Sequence, residues 1–153
     1  MLLPDNRLFM VLRTLSGVWY SVSEDDGATW RDTEPLRYHD EGETIPYPYS
    51  PTPLFALKDG RFLLQGGRWP ITFSMGKSRH KAHQPIWFSQ PKKFAANEGG
   101  AGDISNRGEI GTYSSLTEDN GRRILWYPDR KLFLLGRYVS DRWLSDLEVP
   151  GDD

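Results

Sequence analysis

The sequence predicts an all-β chain assembled from repeated units of short antiparallel strands. Three observations carry that prediction. Aromatic residues make up 13% of the chain, six of them Trp, while 15 Gly and 11 Pro punctuate it. That profile suits many strands joined by turns better than long helices. A polar turn followed by an apolar run also recurs three times. Finally, one aromatic, β-branched strand runs into an unusually well-specified glycine turn, Ser23-Glu24-Asp25-Asp26-Gly27-Ala28-Thr29-Trp30.

The elements follow in chain order. Pro4-Asp5-Asn6-Arg7 is a turn leading into Leu8-Phe9-Met10-Val11-Leu12-Arg13. A second strand, Val18 to Ser23, leads into the glycine turn, where each residue type has a physical use. Asp25 can accept hydrogen bonds from backbone N–H groups of its own turn. Gly27 takes up a positive φ at little cost. Ser23 and Thr29 bond locally, and Trp30 re-enters as a large apolar plug. Leu57-Lys58-Asp59-Gly60-Arg61 repeats the first turn before Phe62-Leu63-Leu64-Gln65, with Pro85-Ile86-Trp87-Phe88-Ser89 as a later strand. Glu118-Asp119-Asn120-Gly121-Arg122 repeats it again before Arg123-Ile124-Leu125-Trp126-Tyr127, followed by Lys131 to Gly136. The turn-to-turn spacing is about 55–60 residues, slightly above the usual blade repeats. Tyr38–Pro53 and Ile71–Gln84 are expected as long connections, the second of them basic. Lys93–Glu98 and Asp141–Glu148 are expected as short helical turns. A β-sandwich with generic hairpins is the rival arrangement.

Charge and composition exclude several classes. Net charge is −2, with basic residues interspersed among acidic ones, so nucleic acid is not expected as a partner. There is no Cys, hence no disulfide framework, thiolate metal site or thiol nucleophile. The first residues lack the basic and apolar segments of a signal peptide. No apolar run approaches transmembrane length, and no membrane partner is expected. These features leave the compartment unassigned.

The pattern Ser23-x-Asp25-x-Gly27-x-Thr29-Trp30 resembles the Asp-box, or BNR repeat, of the sialidase (neuraminidase) superfamily. The resemblance implies a β-propeller of sialidase type, with the chain supplying about three of six blades. Their approximate bounds are 1–48, 49–108 and 109–149, each with up to four antiparallel strands. In that family the box is structural and lies away from the active site. Two further places are similar. An arginine placed as Arg13 is helps bind the substrate carboxylate, for which a guanidinium offers a matching fork of donors. A tyrosine in a strand like Gly111-Thr112-Tyr113-Ser114-Ser115-Leu116 is the nucleophile. Tyrosine needs an activating base, since its ordinary pKa is about 10. Its neutral phenol suits an anomeric carbon beside a carboxylate, and sialidases are the tyrosine exception among glycosidases. A further carboxylate-binding arginine is expected at Arg79, with Arg68 as the other candidate.

The resemblance therefore implies an exo-glycosidase portion acting on an acidic sugar. Tyr113 would be catalytic, Arg13 and Arg79 would bind substrate, and no cofactor or metal would be needed. Departures also matter. The family's activating glutamate, its acid/base aspartate and one arginine lie upstream of the portion this chain resembles. Tyr127-Pro128 stands where sialidases often have Tyr-Glu. Glu109 is a substitute base at most, and Arg130 occupies a position often basic in related non-sialidase members. The isolated chain is accordingly expected to be inactive or weak and to self-associate through open blade edges. A non-catalytic Asp-box module that binds carbohydrate or protein is the alternative.

Overall fold

A computed structural model describes residues 1–48, 51–68, 70–95, 113–129 and 133–151, with Arg68 and Asp129 described by their backbone alone. The chain is all-β and forms three antiparallel sheets. The first contains β1 (Leu8–Thr14), β2 (Gly17–Ser23) and β3 (Glu34–Pro35) in that order. The second places β4 (Leu54–Ala56), β5 (Phe62–Arg68), β6 (Ile71–Ser78) and β7 (Ile86–Phe88) in sequence order. β8 (Lys92–Ala95) pairs with the other end of β6. The third runs β11 (Phe133–Tyr138), β10 (Arg122–Asp129), β9 (Ser115–Asp119). One short helix, α1 (Asp141–Leu144), follows it, and the Ser140 hydroxyl accepts from the Trp143 N–H to cap it.

The middle sheet is buried on both faces because alternate residues along its strands serve different cores. Phe62 and Leu64 face the first sheet, with Ile86 and Phe88 beside them. They meet Phe9, Val18, Tyr20 and Val22 there. Leu63, Phe73 and Met75 face the third sheet, where Leu125 and Tyr127 meet them, and Leu144, Leu147 and Val149 of the C-terminal segment join this core. The order along the stack is therefore first, middle, third.

Three expected segments differ in the structure. Ile71–Gln84 is not one long connection. Ile71–Ser78 is β6, the most extensively paired strand, bonded to β5, β7 and β8. Its period-two alternation of Ile71, Phe73 and Met75 with Thr72, Ser74 and Gly76 supports that role. Gly76 is required by the packing, because a Cβ there would lie 2.8 Å from Ile86 Cγ2 and from Phe88 Cε1. Lys93–Glu98 is also not a helical turn where described. Lys92–Ala95 is a strand, and Phe94 stands edge-on to both Phe73 and Trp143. Tertiary packing overrides the polar look of Lys92-Lys93. Lys92 keeps its ammonium out by pairing with Asp146 over the Trp143 ring. The Asp141–Glu148 expectation reduces to the four residues of α1. Among the described residues the first and third sheets each have three strands, within the upper limit of four expected for a blade. In the first, Met1–Leu3 partly supplies a further edge, through a Leu2–Leu8 bridge and two backbone bonds between Met1 and Phe9.

The recurrent turns are alike in atomic detail. Leu3 N–H donates to Arg7 O at 2.8 Å, and Leu57 N–H donates to Arg61 O at 2.8 Å. The residue before each arginine has a positive φ, 66° at Asn6 and 85° at Gly60. Asp5 accepts from the Arg7 N–H and guanidinium, and Asp59 does the same with Arg61. Bonding to Arg7 lowers the Asp5 pKa from 3.8 to about 2, against an opposing effect of burial. A depressed carboxylate contributes stability that is complete above the unfolded-state value and disappears as pH falls through the folded one. This contribution is thus lost between about pH 4 and pH 2. Carboxyl-carbon NMR titration should place Asp5 near pH 2 in the wild type and return it towards 3.8 in Arg7→Ala. An unchanged midpoint would contradict the clip.

All three turns line one end of the stack. His80, just after β6, reaches Asp5 at 3.4 Å. The Lys58 N–H donates to Glu118 at 2.8 Å, and Arg123 donates to Asp59 at 2.8 Å. The β1–β2 and β5–β6 hairpin tips lie at the other end, since each strand of the hairpin runs away from its turn.

Candidate functional site

The glycine turn closes as its residue types predict. Ser23 Oγ donates to Asp25 Oδ1 at 2.9 Å and accepts from the Gly27 N–H at 2.8 Å. Asp25 Oδ1 also accepts from the Thr29 N–H at 2.8 Å, while Oδ2 accepts from the Thr29 hydroxyl at 2.6 Å. These bonds, led by the Thr29 hydroxyl, hold the Asp25 carboxyl below its ordinary pKa. Gly27 has φ +90°. Trp30 differs from the expected plug. It is partly exposed, and its Nε1 donates to Gly27 O at 3.2 Å, so it lies across the turn as a lid. The side chains of Ser23, Asp25, Thr29 and Trp30 are thus all bonded within the turn itself, and Glu24 pairs with Arg31 just beyond it.

Arg13 and Arg79 are not brought together. Arg13 pairs with Val18 near the hairpin tip of the first sheet. Five residues of extended strand, about 17 Å, separate it from Leu8 beside the turn end. Arg13 shares the strand face of Phe9 and Val11, which is turned towards the middle sheet. Its side chain is exposed and makes no hydrogen bond or ion pair among the described residues. Arg79 follows the last residue of β6, at the turn end. Its Nη2 donates to Pro150 O at 2.7 Å, and its guanidinium stacks 5.5 Å from the centre of the Trp87 ring. Arg79 is therefore a tie between the middle sheet and the C-terminal segment.

The backbone of Arg68, the other candidate, pairs with Ile71 at the hairpin tip of β5, so it shares Arg13's end. Tyr113 lies two residues before β9 on the side away from its turn, again at that end. Its side chain is 75% exposed and without a hydrogen-bond partner among the described residues. The hairpin end thus gathers Arg13 and Tyr113 on different sheets, whereas Arg7, Arg61, Arg79 and Arg123 are all bonded at the turn end. Glu109 and Arg130 lie outside the described residues.

A cleft sits at the turn end. It measures about 580 Å³ and is lined by Asp40, Arg79, His80, Lys81 and Trp87. Its basic loop is fastened to the first sheet by contacts that the sequence does not reveal. Asp40 accepts from the His83 and Gln84 N–H groups, each at 2.9 Å. The buried Gln84 amide acts as an additional strand rung. It accepts from the Arg37 N–H at 2.8 Å and donates to the carbonyls of Arg37 and Ile86, each at 2.7 Å. His83 Nε2 lies 2.8 Å from Glu34. The loop is structural cement, and no local motif marks Gln84 or Asp40 for that role.

Among the described residues, no group of three or more His, Asp or Glu side chains converges as metal ligands would, and no helix is long and apolar enough to cross a membrane. Against this geometry, a scan of protein-family models and searches of curated proteins and of solved structures each returned no match.

Proposed function

We propose that the chain is part of an Asp-box β-propeller of the sialidase kind, with blades approximately at 1–48, 49–108 and 109–149. Its hairpin end binds the carboxylate of an acidic sugar. One observation carries the reading. Arg13 and Tyr113 share that end, exposed and without side-chain partners, while the arginines bonded at the turn end are occupied with structure. A free guanidinium at a rim between sheets has the donor fork a carboxylate requires. Tyr113 supplies a hydroxyl and an aromatic face of the sort that contacts sugar rings.

Binding is the primary role. Among the described residues, no carboxylate bonds to the Tyr113 hydroxyl to activate it. Exo-hydrolysis with Tyr113 as nucleophile is the second reading, favoured by its exposure at the same end.

Calorimetric titration with N-acetylneuraminic acid tests the assignment. A charge-assisted contact contributes about 1.5–3 kcal/mol, so Arg13→Ala should weaken affinity roughly tenfold to a hundredfold. Tyr113→Phe should bind nearly as well as wild type, and it should abolish any release of a fluorogenic aglycone from a sialoside. Absence of binding by the wild type, or equal binding by Arg13→Ala, would overturn the reading.

A further inference from the structure

The stack is directional, and its two terminal faces are apolar. Each sheet turns one face to the sheet before it and the other to the sheet after it. The first sheet has no predecessor among the described residues, and the third has no successor. The outer face of the first sheet carries Leu8, Met10, Leu12 and Trp19, all half-exposed, with Leu2 bridged to Leu8 beside them. The outer face of the third carries Ile124, Trp126 and Pro128, paired respectively with Tyr138, Gly136 and Leu134. Leu134 is 71% exposed and Tyr138 63%. Trp126 lies flat over Gly136, where a Cβ would come within 2.7 Å of its ring, and its Nε1 is satisfied by the Thr117 hydroxyl at 3.0 Å. Charge enters the outer face of the third sheet only at its turn end, where Arg122 pairs with Asp119. Exposed apolar area of this kind marks an interaction surface.

We infer that the third sheet of one copy docks face to face on the first sheet of a second copy, and reciprocally, so that two chains close into a ring. The internal interfaces argue for this occupant. First against middle, and middle against third, are already head-to-tail contacts between the trailing face of one unit and the leading face of the next. The free faces are the same two surfaces left unmatched at the ends of that series. Docking a second copy continues the established interface. Heterologous contacts of this type either close or propagate into filaments, and reciprocal docking of two copies closes them. The contact joins sheet faces, so it needs no pairing of exposed edge strands. It does not depend on what binds at the hairpin end.

Two variants and their mixture test the inference by light scattering coupled to gel filtration. Met10→Glu places a charge on the leading face, and Trp126→Arg places one on the trailing face. Both sites are half-exposed, and circular dichroism melts identify any variant that has lost its fold. For such a site Leu12→Lys or Leu134→Lys is the replacement. The wild type should run at twice the chain mass at micromolar concentration, and each variant should run as a monomer. An equimolar mixture should recover a species of twice the chain mass, because one intact leading face meets one intact trailing face. A wild type that remains monomeric would overturn the inference and assign both faces to another partner. Open-ended oligomers would contradict closure. Dimers broken by Trp126→Arg but not by Met10→Glu, or variants that fail to complement, would contradict head-to-tail docking.

Discussion

Phe73→Ala should lower the stability of the chain by about 3–5 kcal/mol, the usual cost of emptying a buried aromatic site. Phe73 is fully buried on β6, at the centre of the core between the middle and third sheets. Its ring centre lies 5.6 Å from Phe94, 6.3 Å from Trp143 and 6.4 Å from Phe55. These partners come from β8, the C-terminal helix and β4, and they cannot all collapse into one vacancy. For a domain of this size each kcal/mol corresponds to roughly 2–4 °C in Tm, so the midpoint should fall by roughly 6–20 °C. Phe73→Leu, which retains most of the volume, should lose distinctly less. A thermal melt of Phe73→Ala within a degree or two of wild type would show that the two sheets do not share this core.

Arg123→Ala should be comparably damaging, through electrostatics. The Arg123 guanidinium is only 8% exposed, and all three of its nitrogens are engaged. Nε donates to Glu118 at 3.1 Å, Nη1 to Asp141 at 2.6 Å and Nη2 to Asp59 at 2.8 Å. Burial opposes the charge on Arg123. The Asp141 bond, with the Glu118 and Asp59 carboxylates, outweighs it and raises the pKa above its ordinary value. Removing the arginine would strand Glu118, itself mostly buried, next to Asp59. Breaking a buried ion pair on one side costs about 3–5 kcal/mol, and the lower end applies here because Asp141 is largely solvated. Arg123→Lys should recover part of the loss, since an ammonium keeps the charge but cannot reach three carboxylates at once. Denaturant melts that rank the variants otherwise, with Lys equal to Ala, would contradict the three-way geometry.

How much of this was legible depended on how local the bonds are. The Asp-box closes within eight residues, and the Leu3–Arg7 and Leu57–Arg61 turns close within five. Residue types at fixed spacing therefore reveal them. β6 was harder to read. Its inward residues are separated by Ser74 and Gly76, the second kept to glycine by Ile86 and Phe88. Its basic continuation, Arg79 to His83, gives the whole segment a loop-like composition. β8 is hidden by two lysines whose heads reach solvent or Asp146. The Arg123 hub joins residues from three elements, and no sequence pattern announces it. Arg79 fails as Arg13's companion for a reason of direction. β1 runs from the turn end to the hairpin end, and β6 runs back. Residues at the C-terminal ends of these two strands therefore fall at opposite ends of the stack. Sequence proximity to a strand cannot show that without the strand's place in the meander.

The most direct test of the central claim is amide chemical-shift mapping during titration with N-acetylneuraminic acid. The account predicts saturable shifts at Leu12, Arg13, Thr14 and Tyr113, at the hairpin end. Arg79, His80, Lys81 and Trp87, around the turn-end cleft, should stay still. Shifts confined to that cleft, or none at any concentration that the sugar allows, would contradict it.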